Sequence, residues 1–133
     1  MRDDNVNVMR RPQKQALKEA LKLRRTGQRR AALAALRGLA REHPDDAIVR
    51  FELAQTFDNL SHERRAIPHY HRALRLRPNH PARYEIYLYL ASSYRKTARP
   101  AAALRWLERA EAMGRSSPLQ TKLRRLLERR RCS

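Results

Sequence analysis

Residues 47–80, AIVRFELAQTFDNLSHERRAIPHYHRALRLRPNH, contain the pattern that decides the fold. Small residues occupy Ala54 and Ala66, and large aromatic residues follow them at Phe57 and Tyr70. This spacing suits two amphipathic helices that form an antiparallel pair, because small side chains let two helix backbones approach to close-packing distance where they cross. The stretch therefore predicts a helical hairpin.

The same pattern of small residues occurs twice more along the chain. Ala20 and Ala32 lie 34 residues before Ala54 and Ala66, and Ala91 and Ala103 lie 37 residues after them. This repeated pattern resembles the tetratricopeptide repeat (TPR) family over about residues 13–115. The resemblance implies an all-α, right-handed solenoid of three helix-turn-helix repeats plus a C-terminal capping helix, of the kind seen in small bacterial TPR proteins.

Residues 47–80 depart from the TPR signature at one position, and the third copy matches it most clearly. Arg50 stands where the signature has its first aromatic residue, whereas the third copy has Tyr87 there. The first copy is degenerate but in register, with Gly27 at the turn between its two helices. The implied parts of this single domain are a flexible N-terminal segment at 1–12, TPR repeat 1 at 13–46, TPR repeat 2 at 47–80, TPR repeat 3 at 81–115, and a basic capping helix and tail at 116–133.

Capping and helix-breaking residues predict where the helices begin and end. Asp45 or Asp46 can cap the helix that follows, Pro78 stops the helix before it, and Pro100 suits a first helical turn. The predicted helices lie near 13–25, 29–42, 46–59, 63–76, 82–97 and 100–113. Pro68 falls inside the fourth helix, where it cannot donate a backbone hydrogen bond, so a late start or a kink is expected there.

The segment from residue 116 onward predicts a seventh helix. A serine at the N-cap precedes Pro118, and the leucines that follow share one apolar face: Leu119, Leu123, Leu126 and Leu127. A helix of this kind covers the apolar end of a solenoid. Its other face carries a basic surface whose main members are Arg124, Arg125, Arg129 and Arg130.

Motifs for catalysis or metal binding are absent from the sequence. The five histidines form neither an i, i+4 pair nor an HExxH arrangement, and the single cysteine, Cys132, cannot form an intramolecular disulfide. His69 and His71 flank the core position Tyr70 and are expected at the surface. There is no glycine-rich phosphate loop and no nucleophile elbow. We therefore expect no metal, no cofactor and no enzymatic activity.

The charge balance has two interpretations. The 31 basic and 13 acidic residues give a net charge of +18, which reflects either arginine-favouring codon usage or a surface that attracts phosphate or acidic protein. The N-terminal sequence lacks the apolar run of a signal peptide, and no stretch is apolar enough to cross a bilayer. A cytoplasmic protein is the expectation.

The resemblance also implies which residues line a concave peptide-binding groove, since the first helices of TPR repeats face it. These residues are Lys14, Leu17, Lys18, Leu21, Arg24 and Arg25 in repeat 1, Ile48, Phe51, Glu52, Gln55, Asp58 and Asn59 in repeat 2, and Glu85, Leu88, Tyr89, Ser92, Arg95 and Lys96 in repeat 3. This predicts a groove with cationic ends, a polar to acidic middle and apolar contacts.

Three functions follow from these surfaces. The first is a protein-interaction adaptor whose groove takes a partner peptide of acidic and apolar character. The alternative is nonspecific nucleic-acid binding through arginines on the convex and C-terminal surfaces. The third is self-association as a homodimer. No membrane association is expected.

Overall fold

A computed structural model describes residues 11–78 and 83–132, and it describes side chains over 13–78 and 83–129. The described residues form seven α-helices and no strand. The helices are α1 (Arg11–Arg25), α2 (Arg29–Glu42), α3 (Ala47–Asn59), α4 (Glu63–Arg75), α5 (Arg83–Lys96), α6 (Pro100–Glu111) and α7 (Pro118–Cys132). The predicted all-α architecture is confirmed. The N-terminal segment, except its last two residues, and part of the connection before α5 lie outside the described residues.

Each helix packs against the next one along the chain, and α7 packs against both α5 and α6. The small residues that define the pattern lie at these crossings: Ala54, Ala66, Ala91 and Ala103 are fully buried. Their methyl groups leave room for the neighbouring backbone, so antiparallel hairpins stack in series. This is the solenoid that the resemblance implies.

Local capping explains several helix boundaries. The Asp46 carboxylate accepts hydrogen bonds from the backbone N–H groups of Ile48 (2.9 Å) and Val49 (3.2 Å), and it is therefore the cap of α3. Ser117 caps α7 by accepting from the Gln120 backbone N–H at 3.2 Å. Pro100 occupies the first turn of α6. These assignments confirm the signals that the sequence provides.

The helix that contains Pro68 begins at Glu63, so the expected late start is wrong. Pro68 is exposed. Pro68 has no N–H to donate to the backbone carbonyl of Arg64, one turn earlier. Because Pro68 lies at the surface, water can hydrate that carbonyl instead. The proposed kink stays a prediction.

The turn inside each hairpin uses one residue in the left-handed conformation. Gly27 has φ 89° between α1 and α2, Ser61 has φ 61° between α3 and α4, and Ala98 has φ 62° between α5 and α6. Equivalent turns therefore adopt the same backbone geometry, although glycine, which enters this region without strain, is present only in the first.

The seventh helix covers the end of the stack. Leu123 and Leu127 are each 2% exposed and share a buried cluster with Tyr84 and Leu88 of α5 and with Leu107 of α6. The Tyr84 hydroxyl also lies 2.8 Å from Ser117 Oγ and 2.8 Å from Gln120 Oε1 at the start of α7. The capping role expected from the leucine spacing is confirmed by these contacts.

Candidate functional site

The surface predicted as a groove, here called the groove, lies on α1, α3 and α5, and side chains of these helices contact one another. Arg24 of α1 reaches α3, where its Nη2 lies 2.7 Å from Glu52 Oε1 and its Nη1 donates to Thr56 Oγ1 at 3.0 Å. Ser93 of α5 donates to Asp58 Oδ1 of α3 at 3.3 Å. These contacts bring residues from three successive hairpins together.

Aromatic rings link the second and third hairpins beneath the groove. Tyr89 of α5 stacks on Tyr70 of α4 with ring centroids 6.0 Å apart and planes 8° apart, and it lies 5.8 Å from the ring of Phe51. Offset stacking and tilted contacts of this kind are the favoured arrangements of aromatic pairs. Tyr89 is only half-buried, so part of its side chain is accessible.

A buried polar network runs along α3 below the same surface. Gln55 Nε2 donates to the Tyr70 hydroxyl at 2.7 Å, and that hydroxyl donates to Asp58 Oδ2. Burial raises the pKa of the Asp58 carboxyl, while hydrogen bonds from Tyr70 and Ser93 oppose that rise. Burial and the neighbouring Asp58 raise the pKa of Tyr70, which keeps the phenol protonated as the donor. The network therefore has a structural role.

Three apolar residues assigned to the groove are in fact buried. Leu17 and Phe51 are each 8% exposed and Leu88 is 3% exposed. Leu17 and Phe51 belong to the main core, and Leu88 packs in the cluster that α7 closes. Their predicted role as accessible apolar contacts is wrong, because core packing takes up their surface.

The expected acidic middle of the groove also differs in the structure. Glu52 is neutralised by Arg24, and both side chains are only 18% exposed. Asp58 is committed to Tyr70 and Ser93. The charge of Glu52 is therefore compensated, whereas Asp58 keeps its negative charge in the neighbourhood of Lys96.

The remaining predicted residues give the groove a basic character. The exposed members are Lys14, Lys18, Arg25, Asn59, Glu85 and Lys96, and the half-buried ones are Leu21, Ile48, Gln55, Tyr89, Ser92 and Arg95. Five of these are cationic and one, Glu85, is acidic. The accessible groove therefore combines positive charge with the apolar surface of Leu21 and Tyr89.

The basic surface of α7 is partly used for packing. Arg124 forms a two-pronged ion pair with Glu111 of α6, with N–O distances of 2.9 and 2.5 Å. These hydrogen bonds raise the pKa of Arg124. Arg124 thus ties α7 to α6, which corrects its assignment as a free basic residue, whereas Arg125 and Arg129 are exposed. The side chain of Arg130 lies outside the described residues.

Two histidines expected at the surface pack between helices instead. His71 Nε2 lies 2.8 Å from the Tyr94 hydroxyl, and its ring meets the Trp106 ring edge-on at 5.3 Å. His69 lies parallel to Phe57 with centroids 5.4 Å apart. The prediction is wrong because α4 is contacted by neighbouring helices on both sides of its buried stripe.

Sequence reasoning also missed an open cavity of about 600 Å³ between α2, α3 and α4. Arg37, Arg41, Arg50 and His69 line it. The one signal for it in the sequence is Arg50, which occupies the position where the repeat pattern calls for an aromatic residue. Among the residues the structure describes, no cluster of His, Cys, Asp or Glu could hold a metal ion, and no helix is long and apolar enough to cross a membrane.

Comparison with protein families and solved structures identifies similar proteins. One tetratricopeptide repeat model matches residues 47–128 and a second matches residues 17–61. No curated protein matches the sequence significantly. MamA of strain AMB-1 is 29% identical with a TM-score of 0.65, over 73% of this chain and 55% of the MamA chain. The chain thus spans little more than half the length of that protein.

Two further structures share the fold at lower identity. The Sgt2 TPR domain from Aspergillus fumigatus has a TM-score of 0.78 at 14% identity, over 91% of this chain and 80% of the domain. The type III secretion translocator chaperone SycD from Yersinia enterocolitica has a TM-score of 0.74 at 17% identity, over 86% and 80% of the two chains. At these identities the likeness concerns the fold alone.

Proposed function

The chain belongs to the tetratricopeptide repeat family, and we propose that it is a protein–protein interaction adaptor that binds a segment of a partner protein in its groove. The observation that carries this proposal is the half-buried Tyr89 on its aromatic support, with cationic side chains at both ends of the surface. The neighbouring rings hold Tyr89 in place, so contact with a ligand costs the protein little conformational entropy.

The chemistry of the groove selects the partner segment. Lys14, Lys18 and Arg25 lie on α1, and Arg95 and Lys96 lie on α5, so anionic side chains at both ends of the segment would be attracted. Glu52 does not oppose this attraction because Arg24 compensates its charge. We therefore propose a segment with acidic residues that flank an apolar or aromatic residue placed against Tyr89.

Selection from a displayed library of peptides about 12 residues long tests this proposal. The wild-type protein serves as bait, and a Tyr89→Ala/Lys96→Ala variant serves for counter-selection. Enriched peptides are then titrated by fluorescence anisotropy. We expect acidic peptides with a central apolar residue, and binding at least about tenfold weaker to the double variant.

The matched control is Arg105→Gln, which removes one exposed cation from α6. It should leave the affinity within about twofold of the wild-type value. Peptides that bind the double variant as tightly as the wild type would place their site elsewhere. Circular dichroism of each variant separates lost binding from lost folding, and light scattering establishes whether a second copy of the chain occupies the groove.

Nucleic-acid binding is distinguished by its salt dependence. Arg125 and Arg129 are exposed, whereas Arg124 is paired with Glu111. If RNA bound at about 50 mM salt, dissociated at about 300 mM, and were insensitive to Tyr89→Ala, the alternative would replace the adaptor function. Retention of a peptide ligand at the higher salt supports the adaptor.

A further inference from the structure

The open cavity between α2, α3 and α4, here called the basic cavity, lies at the junction of the first and second hairpins. Arg37 and Arg41 of α2 and Arg50 of α3 supply cationic groups to its lining, and the ring of His69 lies beside them. Its other lining residues are Ala40, Pro44 and Leu53. A volume of about 600 Å³ falls in the range of small-molecule sites.

The repeat pattern shows why this junction differs from the next one. Tyr87 and Trp106 lie 37 positions after Arg50 and His69, and His71 lies 34 positions after Arg37. At the second junction these equivalents pack on one another, with Tyr87–Trp106 and His71–Trp106 ring centroids 5.8 and 5.3 Å apart. At the second junction, aromatic rings therefore occupy the positions that Arg37 and Arg50 hold beside the cavity at the first.

The charge of the basic cavity is not compensated within the described part of the chain. None of Arg37, Arg41 and Arg50 forms an ion pair with a described carboxylate. Arg50 Nη1 donates to His69 Nδ1 at 3.3 Å, which requires the neutral histidine. Burial and then the charges of Arg50, Arg37 and Arg65 lower the pKa of His69 to about 4.

A further arginine from α4 adds to this field. Burial and then the charge of Arg72 lower the pKa of Arg50. Arg72 has its own carboxylate, Asp45, at 3.7 Å, but that side chain is 83% exposed and so is a weak counter-charge. Mutual repulsion among the cations would be relieved by an anion placed between them.

The basic cavity is separate from the groove. On α3 the cavity residues Arg50 and Leu53 and the groove residues Glu52 and Gln55 alternate in sequence. At about 100° per residue, the mean directions of the two pairs lie about 160° apart around the helix. A ligand in one site therefore leaves the other accessible.

We propose that the basic cavity binds a phosphate monoester dianion that carries a small apolar or aromatic group. Guanidinium forks match the geometry of phosphate oxygens, and a dianion offsets more of the local charge than a carboxylate does. Because the cavity is larger than a phosphate ion and is lined by the exposed Pro44, the organic group has apolar surface to cover.

Titration of the full chain with phenyl phosphate, followed by calorimetry and by NMR of the histidine ring protons, tests the proposal. We expect a dissociation constant of about 0.1 to 1 mM at low salt. The pKa of His69 should rise on binding, because the bound phosphate, which keeps a negative charge even after it takes up a proton at about pH 6, offsets the charges that lower it. No saturable binding, or no change at His69, would overturn the proposal.

Arg50→Tyr is the sharpest variant, since it installs the residue that the second junction tolerates as Tyr87. It should weaken phenyl phosphate binding at least about tenfold, and the Arg37→Gln/Arg41→Gln double variant should do the same if Arg50→Tyr does not fold. Arg105→Gln, which makes a matched change of charge on α6, should leave binding within about twofold. Equal affinities of the wild type, the cavity variant and Arg105→Gln for phenyl phosphate would contradict the assigned site.

Competing ligands identify the chemistry and its source. Benzenesulfonate, a monoanion of similar shape, should bind at least about fivefold more weakly, and equal affinity would overturn the requirement for a dianion. A phosphoserine peptide that binds more tightly than phenyl phosphate, while its unphosphorylated form does not bind, supports a protein source. Equal affinity of the two phosphates supports a small-molecule source. Displacement of phenyl phosphate by RNA without a terminal phosphate would overturn the proposal, because the cavity would then recognise a nucleic-acid backbone.

Discussion

Arg24 of α1 and Glu52 of α3 are 28 residues apart in the chain, and their side chains form an ion pair of 2.7 Å across the junction of the first two hairpins. The same guanidinium donates to the Glu52 carbonyl oxygen at 3.2 Å and to Thr56 Oγ1 at 3.0 Å. One side chain thus connects two repeats and removes the negative charge that Glu52 would otherwise present to a ligand.

Replacement of Arg24 by methionine keeps the apolar stem and removes all three hydrogen bonds. We expect a loss of about 1 to 3 kcal/mol in the free energy of unfolding, because the partly buried carboxylate of Glu52 loses its partner. Urea unfolding followed by circular dichroism measures this loss. Arg25→Met, at the exposed neighbouring position, should change stability by less than about 0.5 kcal/mol, and equal losses in the two variants would refute a specific role for the ion pair.

Substitutions at two equivalent hairpin turns should change the stability of the protein in opposite directions. Ala98→Gly should stabilise the protein by about 0.5 to 1 kcal/mol, because φ is 62° there and glycine adopts this conformation without strain. Gly27→Ala should destabilise it by a similar amount, since φ is 89° and no atom lies within 4 Å of an added Cβ, so that only backbone strain contributes. Thermal unfolding of both variants checks the pair. The same sign in both would show that turn geometry does not govern the effect.

Acid should destabilise the protein through His69. Its pKa in the folded state is lowered to about 4 from 6.5, so the unfolded chain takes up a proton first as the pH falls. The contribution is fully present above pH 6.5 and is lost as the pH falls towards 4. After allowance for partial exposure we expect a loss of about 1 to 2 kcal/mol from this residue.

A comparison of variants isolates this contribution from other groups that titrate in acid. The difference in stability between wild type and His69→Gln should shrink as the pH falls from about 7 to about 4. His62→Gln, at an exposed position, provides the control and should show no such trend. A constant difference for His69→Gln across this range would mean that His69 does not titrate as described.

The crossing of helices at Ala54 should not accept a larger side chain. Ala54 is fully buried, so Ala54→Leu must displace neighbouring atoms and should cost about 1 to 3 kcal/mol. Ala101→Leu, on the exposed side of α6, should lie within about 0.5 kcal/mol of wild type. Denaturant unfolding distinguishes the two, and a stable Ala54→Leu protein would contradict close approach of the backbones at this crossing.

The sequence predicted the helices closely because the signals that bound them are local. α2 begins and ends at the predicted residues, and the cap at Asp46 and the proline at Pro100 depend only on nearby backbone groups. The face of α3 was harder to assign. Val49, Phe51 and Leu53 are all buried, so apolar residues surround much of this helix and periodicity does not identify the side that faces the groove.

The sequence by itself determined that helical hairpins form and stack, since small residues at a fixed spacing, caps and prolines act within one hairpin or between neighbours. Tertiary structure alone decided which charges remain free. Glu52 is neutralised by a residue from another hairpin, whereas Arg37 and Arg50 meet around a cavity with no described carboxylate partner. The reason is that ion pairing depends on distances of a few ångströms between helices far apart in the chain, and residue types do not specify those distances.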